Sequence, residues 1–205
     1  MDTVHTAEYW DERYGSTHQV WSGKVNLRLT EQVAHLTPGT AIELGCGEGG
    51  DAIWLAQHGW TVLATDISTV AVERAREHAS DAGVGDRVTF SAADLRTWQP
   101  PADGFDLATL QFLHLPAETY TDVTRRLAAA VRPGGTLLIV NHDPVDEHLE
   151  RKHLDRLMLT PAQLAATLDA AQWTVEVAET SGPRTVQRDG ETMTIHDAIV
   201  RAVRT

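Results

Sequence analysis

The chain has 205 residues, 42% of them apolar and 22% charged, with 17 basic against 29 acidic side chains and a formal net charge of -12. That size and balance describe one soluble globular domain with room for a sizeable core, not a disordered chain. The acidity disfavours DNA, structured RNA and anionic lipid, whose phosphates it would repel, and leaves small molecules as the favoured partners. Cys46 is the only cysteine, so an intrachain disulfide and a cysteine metal cluster are both ruled out. Residues 1–6 carry no basic start leading into an apolar run, and apolar stretches such as 137–140 are too short to cross a bilayer. A cytoplasmic location is expected.

The chain opens with Tyr9-Trp10-Asp11-Glu12-Arg13-Tyr14 and Val20-Trp21-Ser22-Gly23, aromatic segments that cover apolar surface while keeping a polar tip. A short helix on the flank of the domain is one reading of them. Leu27, Leu29, Val33 and Leu36, closed by Pro38-Gly39, predict a helix over 26–36, and residues 40–44 predict the first strand. That strand passes through Ile42-Glu43-Leu44 into Gly45-Cys46-Gly47-Glu48-Gly49-Gly50-Asp51 and then into helical spacing at Ala52, Ile53, Leu55 and Ala56, with Gly59 at the cap.

A buried strand that feeds a helix through a glycine-dense turn lets a ligand approach the main chain. Gly45, Gly47 and Gly50 satisfy the G-x-G-x-x-G pattern that seats a pyrophosphate on a helix N-terminus. Glu43, two positions ahead of the first glycine, works against that use. A carboxylate there repels a pyrophosphate and attracts an ammonium or sulfonium, by roughly a few kcal/mol either way. S-adenosylmethionine is such a ligand. Cys46, inside the loop, reads more readily as a small residue tolerated against the ligand than as a nucleophile.

Residues 60–65 predict a second strand that delivers Asp66, 21 positions after Gly45, close to the interval of about 20 at which an acid meets ribose hydroxyls. Ser68 is placed to cap the next helix, over 70–83, and a third strand over 87–91 leads into Ala92-Ala93-Asp94-Leu95. A fourth strand, 105–111, sets Gln111-Phe112-Leu113-His114 above its C-terminal end, where ligands of open α/β sheets bind. A helix from Pro116, spaced by Tyr120, Val123, Leu127 and Val131, stops at Arg132-Pro133-Gly134-Gly135 before a fifth strand over 136–141. After the charged stretch from His142 to His153, Thr160-Pro161-Ala162-Gln163 has the form of a capping box opening a helix to about 170. Trp173, Val175 and Val177 alternate in a sixth strand, and 193–203 form the last after a polar connection. Two closing strands with no helix between them make an antiparallel hairpin.

Glu43-Leu-Gly-Cys-Gly-Glu-Gly49 resembles the first motif of the class I S-adenosylmethionine-dependent methyltransferases, and the resemblance extends over most of the chain. It implies a Rossmann-like, doubly wound α/β fold: a seven-stranded sheet, mostly parallel with an antiparallel C-terminal hairpin, and helices on both faces. It places Glu43 near the methionine end of the cofactor, Asp66 at the ribose, and Asp94 and the neighbouring Leu95 at the adenine. Gly45, Cys46, Gly47, Gly49, Ile67 and Gln111 are further cofactor-binding positions. Residues 1–36 become a lid or helical segment, in which Tyr9 or Trp21 touches methionine moiety or substrate, over a methyltransferase domain at 37–205.

The reaction implied is in-line transfer of the sulfonium methyl to a small-molecule S, N, O or metalloid nucleophile, with S-adenosylhomocysteine as product. A thiolate or an anion needs no base; an amine or hydroxyl does, and His114 and His142 are the candidates. His114 reads more readily as a histidine that caps or braces a loop. No metal site is expected, since His142, Asp143, Asp146, Glu147 and His148 lack H-E-x-x-H or comparable spacing. An NAD(P)-dependent oxidoreductase would fit the glycines and Asp66 but finds no Tyr-x-x-x-Lys pair here. A non-catalytic module that binds S-adenosylmethionine remains open. The compact size, Asp11-Glu12-Arg13-Tyr14 and residues 47–51 most resemble the tellurite-resistance and thiopurine methyltransferases, although Gly50-Asp51 stands where that group often has Arg-Asn.

Overall fold

Apolar runs between turn signals become nine strands, and the helical patterns six helices, in a computed structural model that describes residues 6–18, 20–101, 104–113, 115–146, 159–188 and 191–205. The first half runs α1 (Ala7–Gly15), α2 (Leu27–Val33), β1 (Thr40–Leu44), α3 (Gly50–Gln57), β2 (Thr61–Asp66), α4 (Thr69–Asp81), β3 (Val88–Ala92) and β4 (Phe105–Gln111). The second runs α5 (Ala117–Ala129), β5 (Val131–His142), α6 (Pro161–Ala165), β6 (Trp173–Thr180), β7 (Arg184–Arg188), β8 (Glu191–Ile195) and β9 (Asp197–Arg204). Among the described residues no helix is long and apolar enough to cross a membrane.

Seven strands form one sheet in the order β3-β2-β1-β4-β5-β9-β6. The first five are parallel, and β9 lies antiparallel between β5 and β6. Parallel strands need both faces covered, which is why β1 and β5 are buried along most of their length. On one face Leu29 and Val33 of α2, Leu55 of α3 and Val72 of α4 pack on Ala41, Val62, Ala64, Leu107, Leu138, Val140 and Ile199. On the other, Tyr120, Val123 and Leu127 of α5 and Leu164 of α6 pack on Ile42, Leu44, Ala108, Leu110, Leu137, Ile139 and Val200. Each fully buried Leu or Ile contributes roughly 1.5–3 kcal/mol, so α2 is part of the core and not a loose attachment. The strand order reverses between β1 and β4, and that switch point opens a crevice at the carboxyl edge.

Three expectations are corrected. Residues 184–188 pair with 191–195 as a separate antiparallel ribbon, so the last strand of the main sheet begins at Asp197 and not at 193. Arg-Thr-Val-Gln-Arg and Glu-Thr-Met-Thr-Ile flank an Asp-Gly pair, the signal of a two-residue hairpin that a polar composition conceals. The helix begun by Thr160 has its capping box, with Thr160 and Gln163 bonded both ways, yet ends at Ala165, and the Thr167 hydroxyl donates to the Leu164 carbonyl just beyond. β5 starts already at Val131, so Pro133-Gly134-Gly135 lies within an irregular strand start, where pairing with β4 shifts register. A Cβ on Gly135 would stand 2.8 Å from the Phe105 carbonyl oxygen, so only glycine permits that approach.

Candidate cofactor and acceptor site

Strand alternation carries one polar residue from each of five neighbouring strands to the same face at the carboxyl edge. The inward series Val62, Ala64 continues to Asp66, Ala41 to Glu43, Leu107 to Gln111, Leu138 and Val140 to His142, and Ile199 back to Asp197. Asp66, Glu43, Gln111 and Asp197 are all buried, Asp197 completely, and His142 pairs in register with Asp197. Buried polar side chains in a row have to be hydrogen-bonded or await a ligand.

At the donor end the loop after β1 is tied to β2 by the Gly45 and Cys46 amides, which donate to the Thr65 carbonyl at 2.8 and 2.9 Å. Asp66 accepts from the Gly47 amide at 2.8 Å and the Ser68 amide at 2.9 Å, and burial raises its carboxyl pKa against these bonds and one from Ile67. Gly47 takes a left-handed φ of 51°, which favours glycine. Burial, then Asp51 and Asp66, push the Glu43 carboxyl well above its usual range, with the Ala52 amide opposing. Glu43 Oε2 is buried without a hydrogen-bond partner among the described residues, and so is Gln111 Oε1. Burial also raises Asp51 to about 6, opposed by the Asn26 amide at 2.6 Å.

Cys46 lies in the core, and burial with Asp66 and Glu43 pushes its thiol well above the usual value, which keeps it unreactive. Ile67, Ala93 and Asp94 line one side of a cleft of about 340 Å³, with Thr6, Ala7 and Glu8 opposite. The Arg96 guanidinium donates to both Asp94 oxygens, at 2.9 and 3.0 Å from Nε, and holds that carboxyl below its usual range. Leu95 points into the core instead, its carbonyl accepting from Arg126 at 2.7 Å.

The segment before β1 crosses this loop. Asp11 docks α1 on the N-terminus of α4, accepting from the Ser68 hydroxyl at 2.6 Å and the Val70 amide at 3.2 Å, where a carboxylate suits the helix dipole. Glu48 accepts from the Val20 and Trp21 amides at 3.2 and 3.1 Å and from Arg74 at 3.0 Å. A Cβ on Gly47 would lie 3.0 Å from Tyr14 Oη and 3.5 Å from the Trp21 ring; one on Gly50 would lie 3.1 Å from the Lys24 carbonyl oxygen. Trp21 thus stands over the loop with Tyr14, whereas Tyr9 sets its ring edge-on against Trp10.

Beyond the loop, toward β5 and β9, Leu113 comes within 3.1 Å of where a Gly45 Cβ would be, and Phe112 beside it is the one non-glycine residue with positive φ (50°) among those described. Strained backbone of this kind clusters at functional sites. The His142 ring lies 4.6 Å from the Phe112 ring, and its Nδ1 is 3.9 Å from Asp197 Oδ1. His114 lies outside the described residues, as do Glu147 and His148. Asp146 is paired with His196 at 2.8 Å, and Asp143 accepts from the Thr180 hydroxyl at 2.7 Å.

Glu43, the loop glycines, Asp66 and Gln111 thus lie together at the carboxyl edge, with Ile67 and Asp94 at the adjoining cleft. Tyr14, Asp51, Arg28, Arg184 and Asp197 were not foreseen. Asp197 did leave a trace, as the only acid in the apolar run 193–203.

Residues 41–135 match the family model described as a methyltransferase domain. The 27-O-demethylrifamycin SV methyltransferase of Amycolatopsis mediterranei is 34% identical over 137 residues, 64% of this chain and 48% of that protein. The trans-aconitate 2-methyltransferase of Streptomyces coelicolor is 32% identical over 201 residues, 86% of this chain and 65% of that protein. The chain thus spans between about half and 65% of these relatives' length. The crystal structure of magnesium protoporphyrin IX methyltransferase from Synechocystis PCC 6803 with bound SAH shares the fold, with a TM-score of 0.69 over 97% of each chain at 19% identity. A glycine loop rimmed by Glu43, Asp51 and Asp66 suits a cationic ligand and not a pyrophosphate, and the matches agree with that chemistry: residues 41–135 are a methyltransferase domain of the class I S-adenosylmethionine-dependent type.

Proposed function

We propose that this chain binds S-adenosylmethionine at the glycine loop and transfers its methyl group to a small-molecule acceptor. The observation that carries the reading is Glu43, whose buried Oε2 has no partner among the described residues although the carboxyl is crowded by two further acids. A cation relieves all three, and the methionine end supplies an ammonium and a sulfonium. When bound, S-adenosylmethionine supplies an activated methyl group, so the protein contributes position and dryness.

Glu43 and Gln111 accept from the amino end, Gly45, Cys46, Gly47 and Gly49 give the close main-chain approach, and Asp66 takes the ribose hydroxyls with its remaining lone pairs. Ile67, the Leu95 amide and Asp94 serve the adenine at the cleft. The segment within residues 1–36 that holds Tyr14 and Trp21 over Gly47 acts as a lid that excludes water from the domain at 37–205. His142, beside Phe112, is the proton acceptor for a hydroxyl or amine acceptor. The acidic charge favours a small-molecule acceptor over nucleic acid.

Calorimetric titration with S-adenosylmethionine, S-adenosylhomocysteine and NADH, followed by mass-spectrometric detection of S-adenosylhomocysteine across an acceptor panel, tests this reading. Binding of NADH alone would favour an oxidoreductase. Cofactor binding with no product from any acceptor would favour a non-catalytic module.

A further inference from the structure

Around the glycine loop Glu43, Glu48 and Asp66 are buried; at the far end of the polar row two guanidiniums converge on one carboxylate. Asp197, fully buried, accepts from Arg28 Nε at 3.1 Å and from Arg184 Nε and Nη2 at 2.8 and 3.1 Å. Arg28 also pairs with Glu31, whose side chain is 42% exposed and shares its charge with solvent, and donates to the Gly182 carbonyl at 2.8 Å. Two guanidiniums are thereby gathered at the carboxyl edge of the sheet, matched by Asp197 and Glu31.

Arg184 is the member of that cluster that lies against Phe112. Its guanidinium carbon lies 5.5 Å from the Phe112 ring centroid, so the strained Phe112 carries His142 and Arg184 against its ring while its neighbour Leu113 reaches the glycine loop. Two of its nitrogens are committed to Asp197, and Nη1 makes no hydrogen bond among the described residues. Asp197 fixes the plane of the fork, and the unused edge is matched in shape and charge to a second carboxylate. The separate β7–β8 ribbon is what delivers Arg184, from the first position of β7.

We propose that Arg184 is a specificity-determining residue that selects acceptors carrying a carboxylate, holding that group beside Phe112 while the acceptor faces the methyl donor. This rests on the methyltransferase reading above. It assigns the acceptor class and adds a reason for the ribbon: a neutral acceptor would leave the free edge of Arg184 half-desolvated and unpaired, so the site discriminates against it.

The test uses the full chain with saturating S-adenosylmethionine and a panel of small mono-, di- and tricarboxylic acids, each beside its primary amide, with S-adenosylhomocysteine measured by mass spectrometry. The expected result is turnover of acids with kcat/KM at least about tenfold above the matching amides. Arg184→Gln should raise KM for the acids at least about tenfold with kcat little changed, and Arg184→Lys should restore part of the loss. Cofactor affinity and melting temperature, measured on the same samples, should be unaltered by Arg184→Lys; a brace for Asp197 alone would lower kcat for every acceptor alike. Amides turned over as well as acids, an unchanged KM in both variants, or cofactor binding with no acid turned over would each overturn the proposal and leave the donor site standing. Failure to bind S-adenosylmethionine would instead bring down the donor reading, and this inference with it.

Discussion

Trp21 Nε1 donates to Tyr14 Oη at 2.8 Å, and the bonded pair stands directly above Gly47. The spacing leaves no room for a side chain on the loop. Gly47→Ala would add a Cβ at a φ of 51° and 3.0 Å from the tyrosine oxygen, so strap or loop has to move. Strain at left-handed backbone costs roughly 1–2 kcal/mol. The expected outcome is a lower melting temperature and S-adenosylmethionine release faster by about tenfold or more, read by stopped-flow tryptophan fluorescence. Tyr14→Phe keeps the ring and removes the hydroxyl, and should change the release rate by less than Gly47→Ala.

The acids around the loop set a pH dependence with a definite sign. Asp51 is raised from 3.8 to about 6 in the folded chain, chiefly by burial, and Glu43 is raised as well. The native state therefore holds protons that the unfolded chain has released, and the ligand-free protein loses stability as pH rises from about 4 through 6. For Asp51 alone the loss is roughly 3 kcal/mol, an order-of-magnitude figure. Asp51→Asn keeps an acceptor for the Asn26 amide and removes the charge, so it should flatten that part of the denaturation profile and raise stability at pH 8. Cofactor binding has the opposite dependence: affinity for S-adenosylmethionine rises over the same range, and below pH 7 binding releases protons, measurable by calorimetry in buffers of different ionisation enthalpy.

His142 separates acceptor chemistries. Its ring is seated by Phe112 and Asp197, so His142→Gln should lower kcat by about 100-fold for a hydroxyl or amine acceptor that has to lose a proton. An acceptor that is already anionic needs no base, and for it the same substitution should change kcat by less than about threefold. Steady-state rates with one acceptor of each kind distinguish the two.

Much of the donor half was legible because its residues are local. Glu43, the glycines and Asp66 lie within one β-α-β unit, so strand alternation and an interval of 21 residues fix their relation before any tertiary contact forms. The Asp197 end of the row was not legible for the opposite reason. Arg28 and Asp197 are 169 positions apart, and Arg184 reaches Asp197 through a ribbon whose polar alternation reads as a loop. The stretches that resembled tellurite-resistance and thiopurine enzymes have structural work to do: Asp11 caps α4, Glu48 anchors the strap and Asp51 receives the Asn26 amide. Residues so employed say little about the acceptor. Tyr14, in place of Tyr9, reaches the loop because it is the buried position of α1.

The most direct measurement is calorimetric titration of the wild-type chain and Glu43→Gln with S-adenosylmethionine and with NADH. Glutamine keeps an oxygen for the Ala52 amide, removes the charge and relieves Asp51 and Asp66. The wild-type chain should bind S-adenosylmethionine and not NADH, while the variant melts higher in the absence of ligand and binds S-adenosylmethionine about 10- to 100-fold more weakly, as loss of a charge-assisted bond of roughly 1.5–3 kcal/mol requires. Equal S-adenosylmethionine affinity in the two proteins, or tight NADH binding by the wild type, would contradict the role of Glu43 and with it the assignment of the donor site.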